Sequence, residues 1–223
     1  MRRLLFCLGI CLMTSLSSAA EFAITMDDPE VSPSPLLTPS ERDERILAAL
    51  SKHQTRAALF VCGMRVDNVE GKHLLQAWNN DKHILANHSY HHKNFNDLEI
   101  SLDSVIADSK KAEKIIADYQ QFSKFYRFPY LKEGNSLKKR DGMRAFLDAQ
   151  NYRNGHVSID ASDWYVDARM RNKLERNAKL DLKPYRDFYL KHMWDRAQYY
   201  DSLAKSRAHP AYSSQPTQRL VSG

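Results

Sequence analysis

Short apolar runs of strand length alternate with stretches of helical periodicity along most of this chain, and that alternation leaves few folds open. Residues 21–26, with Phe22, Ile24 and Met26 on one face, read as a first strand. Residues 57–61 and 83–86 read as a second and third, and 124–127 and 156–160 as two more. Between them, Thr38-Pro39-Ser40-Glu41 predicts a helix start: Thr38 caps, Pro39 suits the first turn and Glu41 closes a capping box. Ile46, Leu47 and Leu50 give that helix its buried face, and Leu74, Leu75 and Trp78 do the same for a helix over 72–80. The strongest periodicity, Leu102, Val105, Ile106, Ala112, Ile116 and Tyr119, predicts a long amphipathic helix. Helices around 144–150 and over 185–203 complete the series. The expected architecture is α/β with a parallel sheet in one domain. Periodicity by itself leaves both a (β/α) barrel and an open doubly wound sheet available.

The two ends of the chain differ from this body. Met1-Arg2-Arg3, an apolar run over 4–13 and Ser18-Ala19-Ala20 read as a signal peptide, residues 1–20, cleaved after Ala20. Its apolar stretch is too short to span a bilayer, and no later stretch is long and apolar enough, so a secreted or periplasmic protein with no membrane span is expected. Cleavage removes Cys7 and Cys11 and leaves Cys62 alone, in the apolar run 57–62, as a buried, inert thiol. The net charge of +6, two units of which come from Arg2 and Arg3, favours acidic surfaces such as cell envelopes. Without a basic stripe interleaved with aromatics, no nucleic-acid partner is expected. Residues 206–223 are polar, carry two prolines and follow neither period, which predicts a disordered tail after a domain over 21–205.

The chemistry-bearing residues fall just past the predicted strands, where (β/α) barrels place their active sites. Asp28, with His88 and His92 from Asn87-His88-Ser89-Tyr90-His91-His92, offers one carboxylate and two imidazoles, a ligand set for a catalytic divalent metal, zinc most often. Asp27 next door is free to act as a base. Taken alone, Asp27-Asp28-Pro29 would suit a polar turn; upstream of the histidine pair it suits a metal site. Arg127-Phe128-Pro129-Tyr130 and Asp160-Ala161-Ser162-Asp163-Trp164 follow.

In that order, these four segments closely resemble the polysaccharide deacetylases of the NodB-homology type, over roughly residues 21–205. The resemblance implies a distorted (β/α) barrel with fewer than eight strands. It also implies a metal-dependent hydrolase that removes N- or O-acetyl groups from an envelope or extracellular polysaccharide. By the same resemblance Asp28, His88 and His92 hold the metal, Asp27 is the general base, and Arg127 orients it. Tyr130 lends its backbone N–H to the oxyanion, Asp160 partners the histidine that acts as general acid, and Trp164 lines the sugar groove. That histidine comes in a late strand in the family. Here His192 lies mid-helix and His209 in the polar tail, so no histidine is expected at Asp160. The barrel is expected to be C-terminally incomplete, and the alternative function is a catalytically weak or inactive remnant that binds metal or glycan.

Overall fold

The computed structural model describes residues 22–207. Five strands, β1 (Ile24–Asp27), β2 (Ala57–Val61), β3 (Ile84–Asn87), β4 (Phe122–Tyr126) and β5 (Arg153–Asn154), form one sheet. Every pairing is parallel and the spatial order is β1-β2-β3-β4-β5. A doubly wound sheet reverses its order at a switch point. This sheet never reverses, so each new strand is added on the same side, which is the winding of a (β/α) barrel. The result is a curled half-barrel, with five strands rather than eight.

The connecting helices are α1 (Pro39–Lys52), α2 (Gly63–Val66), α3 (Val69–Asn80), α4 (Leu102–Ile116) and α5 (Leu137–Ala149). The capping box of α1 forms as its sequence predicts: Glu41 N–H donates to Thr38 Oγ1, and Glu41 Oε2 accepts from Thr38 N–H. Alternate strand residues face opposite ways. Leu59, Val61 and Leu85 point to the helices and pack with Leu47, Leu50, Leu74, Leu75, Trp78 and Ile116. Phe60, Ala86 and Phe125 lie on the opposite face, in a separate small cluster. A third cluster, around Tyr126, Phe128, Val105, Met143 and Leu147, seats α4 and α5 on β4.

Two expectations need correcting. Residues 156–160 are not a strand; the fifth strand is only Arg153–Asn154. Gly155 N–H still donates to the Tyr126 carbonyl, and then the chain leaves the sheet. His156, Ser158 and Asp160 are solvent-exposed, so no packing holds that segment extended. The segment after it, to which the sequence reading assigns no element, is a helix, α6 (Asp163–Arg176). The last helix, α7 (Lys183–Arg207), runs two residues past the expected domain end at 205. The predicted signal peptide and the rest of the predicted tail lie outside the described residues.

Candidate metal centre

The C-terminal ends of β1, β3 and β4 deliver the predicted residues to one rim. Asp27 is the last residue of β1 and Asp28 follows it; His88 follows Asn87 of β3; Arg127 follows Tyr126 of β4. One ligand atom from each of Asp28, His88 and His92 lies within 4.8 Å of the other two. Asp28 Oδ2 is 3.2 Å from His92 Nε2 and 4.0 Å from His88 Nε2. Ligands each about 2.0–2.2 Å from one ion stand roughly 3–4 Å apart, so this donor set fits a small divalent cation. Asp28 Oδ1, the oxygen turned away from the histidines, is buried without a hydrogen bond among the described residues and lies 3.4 Å from Arg65 Nε.

The tautomer of His88 is set by its surroundings. Its Nδ1 lies 2.9 Å from the Arg127 carbonyl, which can only accept, so Nδ1 carries the proton. Nε2 is then a lone pair turned toward Asp28, the arrangement found when a backbone carbonyl orients a metal-binding imidazole. Burial holds the His88 pKa down despite the nearby charges of Asp27 and Asp28, which keeps the ring neutral. For Asp28, burial pushes the other way, but the His92 hydrogen bond and the positive surroundings, Arg65 among them, outweigh it. Its pKa is lowered, and it stays ionised. Cys62, close by, is driven up to about 11 by burial and by the Asp28 charge, and remains a thiol.

Arg127 is buried and does three further things with its side chain and backbone. Its Nη1 donates to Asp27 Oδ1, its Nε donates to the Gly155 carbonyl at 2.8 Å, and its own N–H donates to the Asn87 carbonyl. The guanidinium lies 3.8 Å over the Phe60 ring. Burial lowers the Arg127 pKa and the Asp27 charge opposes that; an arginine so placed remains a cation. Asp27 thus has Oδ1 engaged and Oδ2 turned toward the site, 3.8 Å from His88 Nε2.

The loop that carries the histidines is fixed by residues the sequence reading passed over. Fully buried Asn87 accepts from Ser89 N–H at 2.9 Å and donates to the Ser109 carbonyl and the Tyr152 hydroxyl. Ser89 Oγ accepts from His92 N–H at 3.1 Å. Gly63 and Met64 N–H groups, at the start of α2, hold the carbonyls of Ser89 and Tyr90. Asp108 of α4 accepts from the backbone of Tyr90 and His91 and from His91 Nδ1, so His91 is engaged away from the ligand set. Arg65 of α2 pairs with Glu30 and lies 3.4 Å from Asp28. Asp108, Arg65 and the α2 amides belong to no recognisable motif; α4 starts 14 residues past His88, and only the three-dimensional packing brings it back.

Strain is concentrated here. Among the described residues, nine that are not glycine have positive φ. Gln54, Lys82 and Asn151 each follow a helix C-cap, where a left-handed residue is ordinary. Asp28, Ser89, His92, Tyr130 and Leu131 instead surround the metal-ligand cluster.

Tyr130 sits in a short 3-10 turn, Pro129–Leu131, at φ 54° and ψ 13°, and its ring packs against His92 at 4.7 Å. Asp160 and Trp164 are placed differently. Asp160 is exposed and accepts from Ser162 N–H in a local turn. Among the described residues no hydrogen bond or ion pair joins it to Asp27, Asp28, His88, His92 or Arg127. Trp164 is 69% exposed, in the first turn of α6. One histidine comes closer to Asp160 than a mid-helix position promised: His192 of α7 donates from Nε2 to the Ala161 carbonyl at 2.9 Å. The bond is to the neighbouring backbone, not to the Asp160 carboxylate.

Comparison with known proteins agrees with this arrangement. Similar solved structures include a mutant of a CE4 family pseudoenzyme with restored enzymatic activity, at 20% identity and TM-score 0.53, with 78% of this chain and 62% of that one covered. The chitin deacetylase of the fungal pathogen Colletotrichum lindemuthianum is similar at 21% identity and TM-score 0.52, covering 72% and 67%. A polysaccharide deacetylase from Bacillus cereus is similar at 21% identity and TM-score 0.50, covering 80% and 72%. At these identities the likeness is one of fold, and the chain spans less than two thirds of the first of them. A search of curated protein sequences finds no match. The sequence profile for polysaccharide deacetylase matches residues 17–145, more than half of the chain and all three of Asp28, His88 and His92, and the chain belongs to the polysaccharide deacetylase family.

Proposed function

We propose that the protein is a metal-dependent hydrolase that removes N- or O-acetyl groups from an envelope or extracellular polysaccharide, with Asp28, His88 and His92 holding zinc. The observation that carries this reading is the convergence of the three ligand atoms, with the His88 tautomer fixed by the Arg127 carbonyl. Zinc bound there would supply Lewis acidity toward the acetyl carbonyl and acidify the attacking water. Asp27 is the general base, and Oδ2 is the atom that takes the proton, because Oδ1 is engaged by Arg127. The Arg127 guanidinium fixes the angle of the Asp27 carboxylate. The Tyr130 backbone N–H serves the developing oxyanion, and the exposed indole of Trp164 offers a face to a sugar ring. Asp160 is assigned to the proton delivery that the departing group needs. The leader-like sequence of residues 1–20 supports a site of action outside the cytoplasm, secreted or periplasmic; no described helix is long and apolar enough to cross a membrane.

A second reading, a domain that holds metal or glycan and turns over slowly, is favoured by one observation. Asp160 is bound to its own turn and His192 to the Ala161 carbonyl, so the proton-delivering pair is not assembled. Loss of such an acid typically costs on the order of 10²–10⁴ in rate. Acetate release from an acetylated chito-oligosaccharide, with and without chelator and with zinc restored, tests both. Chelator-sensitive release supports the hydrolase. Zinc uptake without release supports the second reading, and absence of zinc uptake sinks the hydrolase and leaves of the second reading only a glycan-binding domain.

A further inference from the structure

The metal-ligand loop is held from outside by one carboxylate whose position no motif announces. Asp108 lies on α4, nearly buried, and among the described residues its hydrogen bonds go to the middle of that loop. Oδ2 accepts from Tyr90 N–H at 2.8 Å and from His91 N–H at 3.0 Å, and Oδ1 accepts from His91 Nδ1. The two residues it grips stand between the two imidazole ligands, so its hold acts on both His88 and His92. The loop needs such a hold, because Ser89 and His92 both sit at positive φ, 68° and 52°, where an unrestrained chain would relax. The other restraints do not substitute for it. Asn87 and Ser89 fix the loop to itself and to the Ser109 carbonyl, and Gly63 and Met64 bind only the carbonyls of residues 89 and 90. The N–H groups of Tyr90 and His91 are left to Asp108.

We propose that Asp108, acting with the His91 side chain, is a positioning residue for the metal centre: it sets the spacing of His88 and His92 before metal arrives. The inference rests on the reading that Asp28, His88 and His92 hold the metal. Outer residues of this kind typically change metal affinity by 10–100-fold when replaced. An asparagine at 108 keeps an acceptor for one or two of the three N–H donors, yet loses the charge that makes these bonds strong.

The test compares the full chain with Asp108→Asn and His91→Ala. Zinc affinity is read by competition with a chromophoric chelator, coordination geometry by the visible absorption of the Co²⁺-loaded protein, and folding by the melting temperature of the metal-free form. Asp108→Asn is expected to weaken zinc at least tenfold and to alter the Co²⁺ spectrum. Its metal-free melting temperature should stay within a few degrees of the parent. His91→Ala, which keeps the two backbone contacts, is expected to weaken zinc by a smaller factor, and it decides the matter if Asp108→Asn does not fold. Wild-type zinc affinity in both variants overturns the proposal and leaves the ligand assignment standing. A parent protein that takes up neither metal overturns both.

Discussion

Arg127 carries two separable duties, one through its backbone and one through its side chain. The carbonyl fixes the His88 tautomer; the guanidinium fixes Asp27 and spans to the Gly155 carbonyl. A substitution that keeps the backbone should therefore separate metal binding from turnover. Arg127→Met is expected to retain zinc at about one equivalent, measured by metal analysis, while kcat falls on the order of 10²-fold or more, since a misplaced base is costly. Asp27→Asn should likewise keep its zinc and lose turnover, whereas Asp28→Asn should lose the zinc. The opposite outcome for the two aspartates would mean that their roles are exchanged. A different histidine governs the acid limb of stability. His83 is buried, its Nδ1 accepts the Ala57 N–H at 3.2 Å, and burial lowers its pKa, with Asp81 opposing and Arg56 adding to the effect. The folded state thus binds this proton less readily than the unfolded chain. The stability it contributes is complete above the unfolded pKa of about 6.5 and is lost as pH falls from there toward the folded value. Melts of the metal-free protein between pH 7.5 and 5 should show this decline. His83→Gln, which keeps an acceptor but cannot titrate, should flatten part of it; His88, also depressed by burial, supplies the remainder.

At the scale of elements, the legible parts were those where a local rule and the tertiary environment agree. The β2 boundaries and the α1 capping box could be read from residues 57–61 and 38–41 because apolar runs and cap chemistry act within a few positions. The convergence of Asp28, His88 and His92, the candidate metal ligands, was legible for a different reason: these are rare donor types in segments that resemble those of a known family. Asp108, Asn87 and the α2 amides were not, because they act across the fold on a loop remote in sequence. The missed helix α6 shows the limit of periodicity. Its apolar residues are few and only Leu174 is buried, so no stripe marks it. The false strand at 156–160 had the apolar content of a strand but no neighbour to pair with. Close approach also escapes sequence reading. A Cβ on Gly63 would lie 2.6 Å from the Tyr90 ring, which is itself anchored by Asp67 through its hydroxyl. Gly63→Ala should therefore displace Tyr90, cost roughly 1–3 kcal/mol in chemical denaturation, and weaken zinc in the same direction as loss of Asp108.

For the whole molecule, the winding of the sheet decides where the metal ligands come from. They lie at positions 28, 88 and 92, on the ends of β1 and β3, and these two strands never touch: each pairs with β2 between them. The site exists only once three strands are in register, so the unfolded chain cannot reproduce it. Zinc at 100 times its Kd should add about 2.7 kcal/mol to stability, which for a chain of this size is on the order of 5–10 °C in Tm. Calorimetry with and without chelator would measure it, and an unchanged Tm would argue against the site.

That same arrangement bears on how the protein comes apart. Strand β1 has four residues and, among the described residues, pairs with β2 alone, on one side only. A bond from Asp28 through an ion to His88 would reach over β2 and fasten this outermost strand to the centre of the sheet. Occupancy of the site should then be written in the amide hydrogens of residues 24–27. In stripped protein these should exchange with solvent well before those of β2, and zinc should slow them while leaving the α5 amides unchanged.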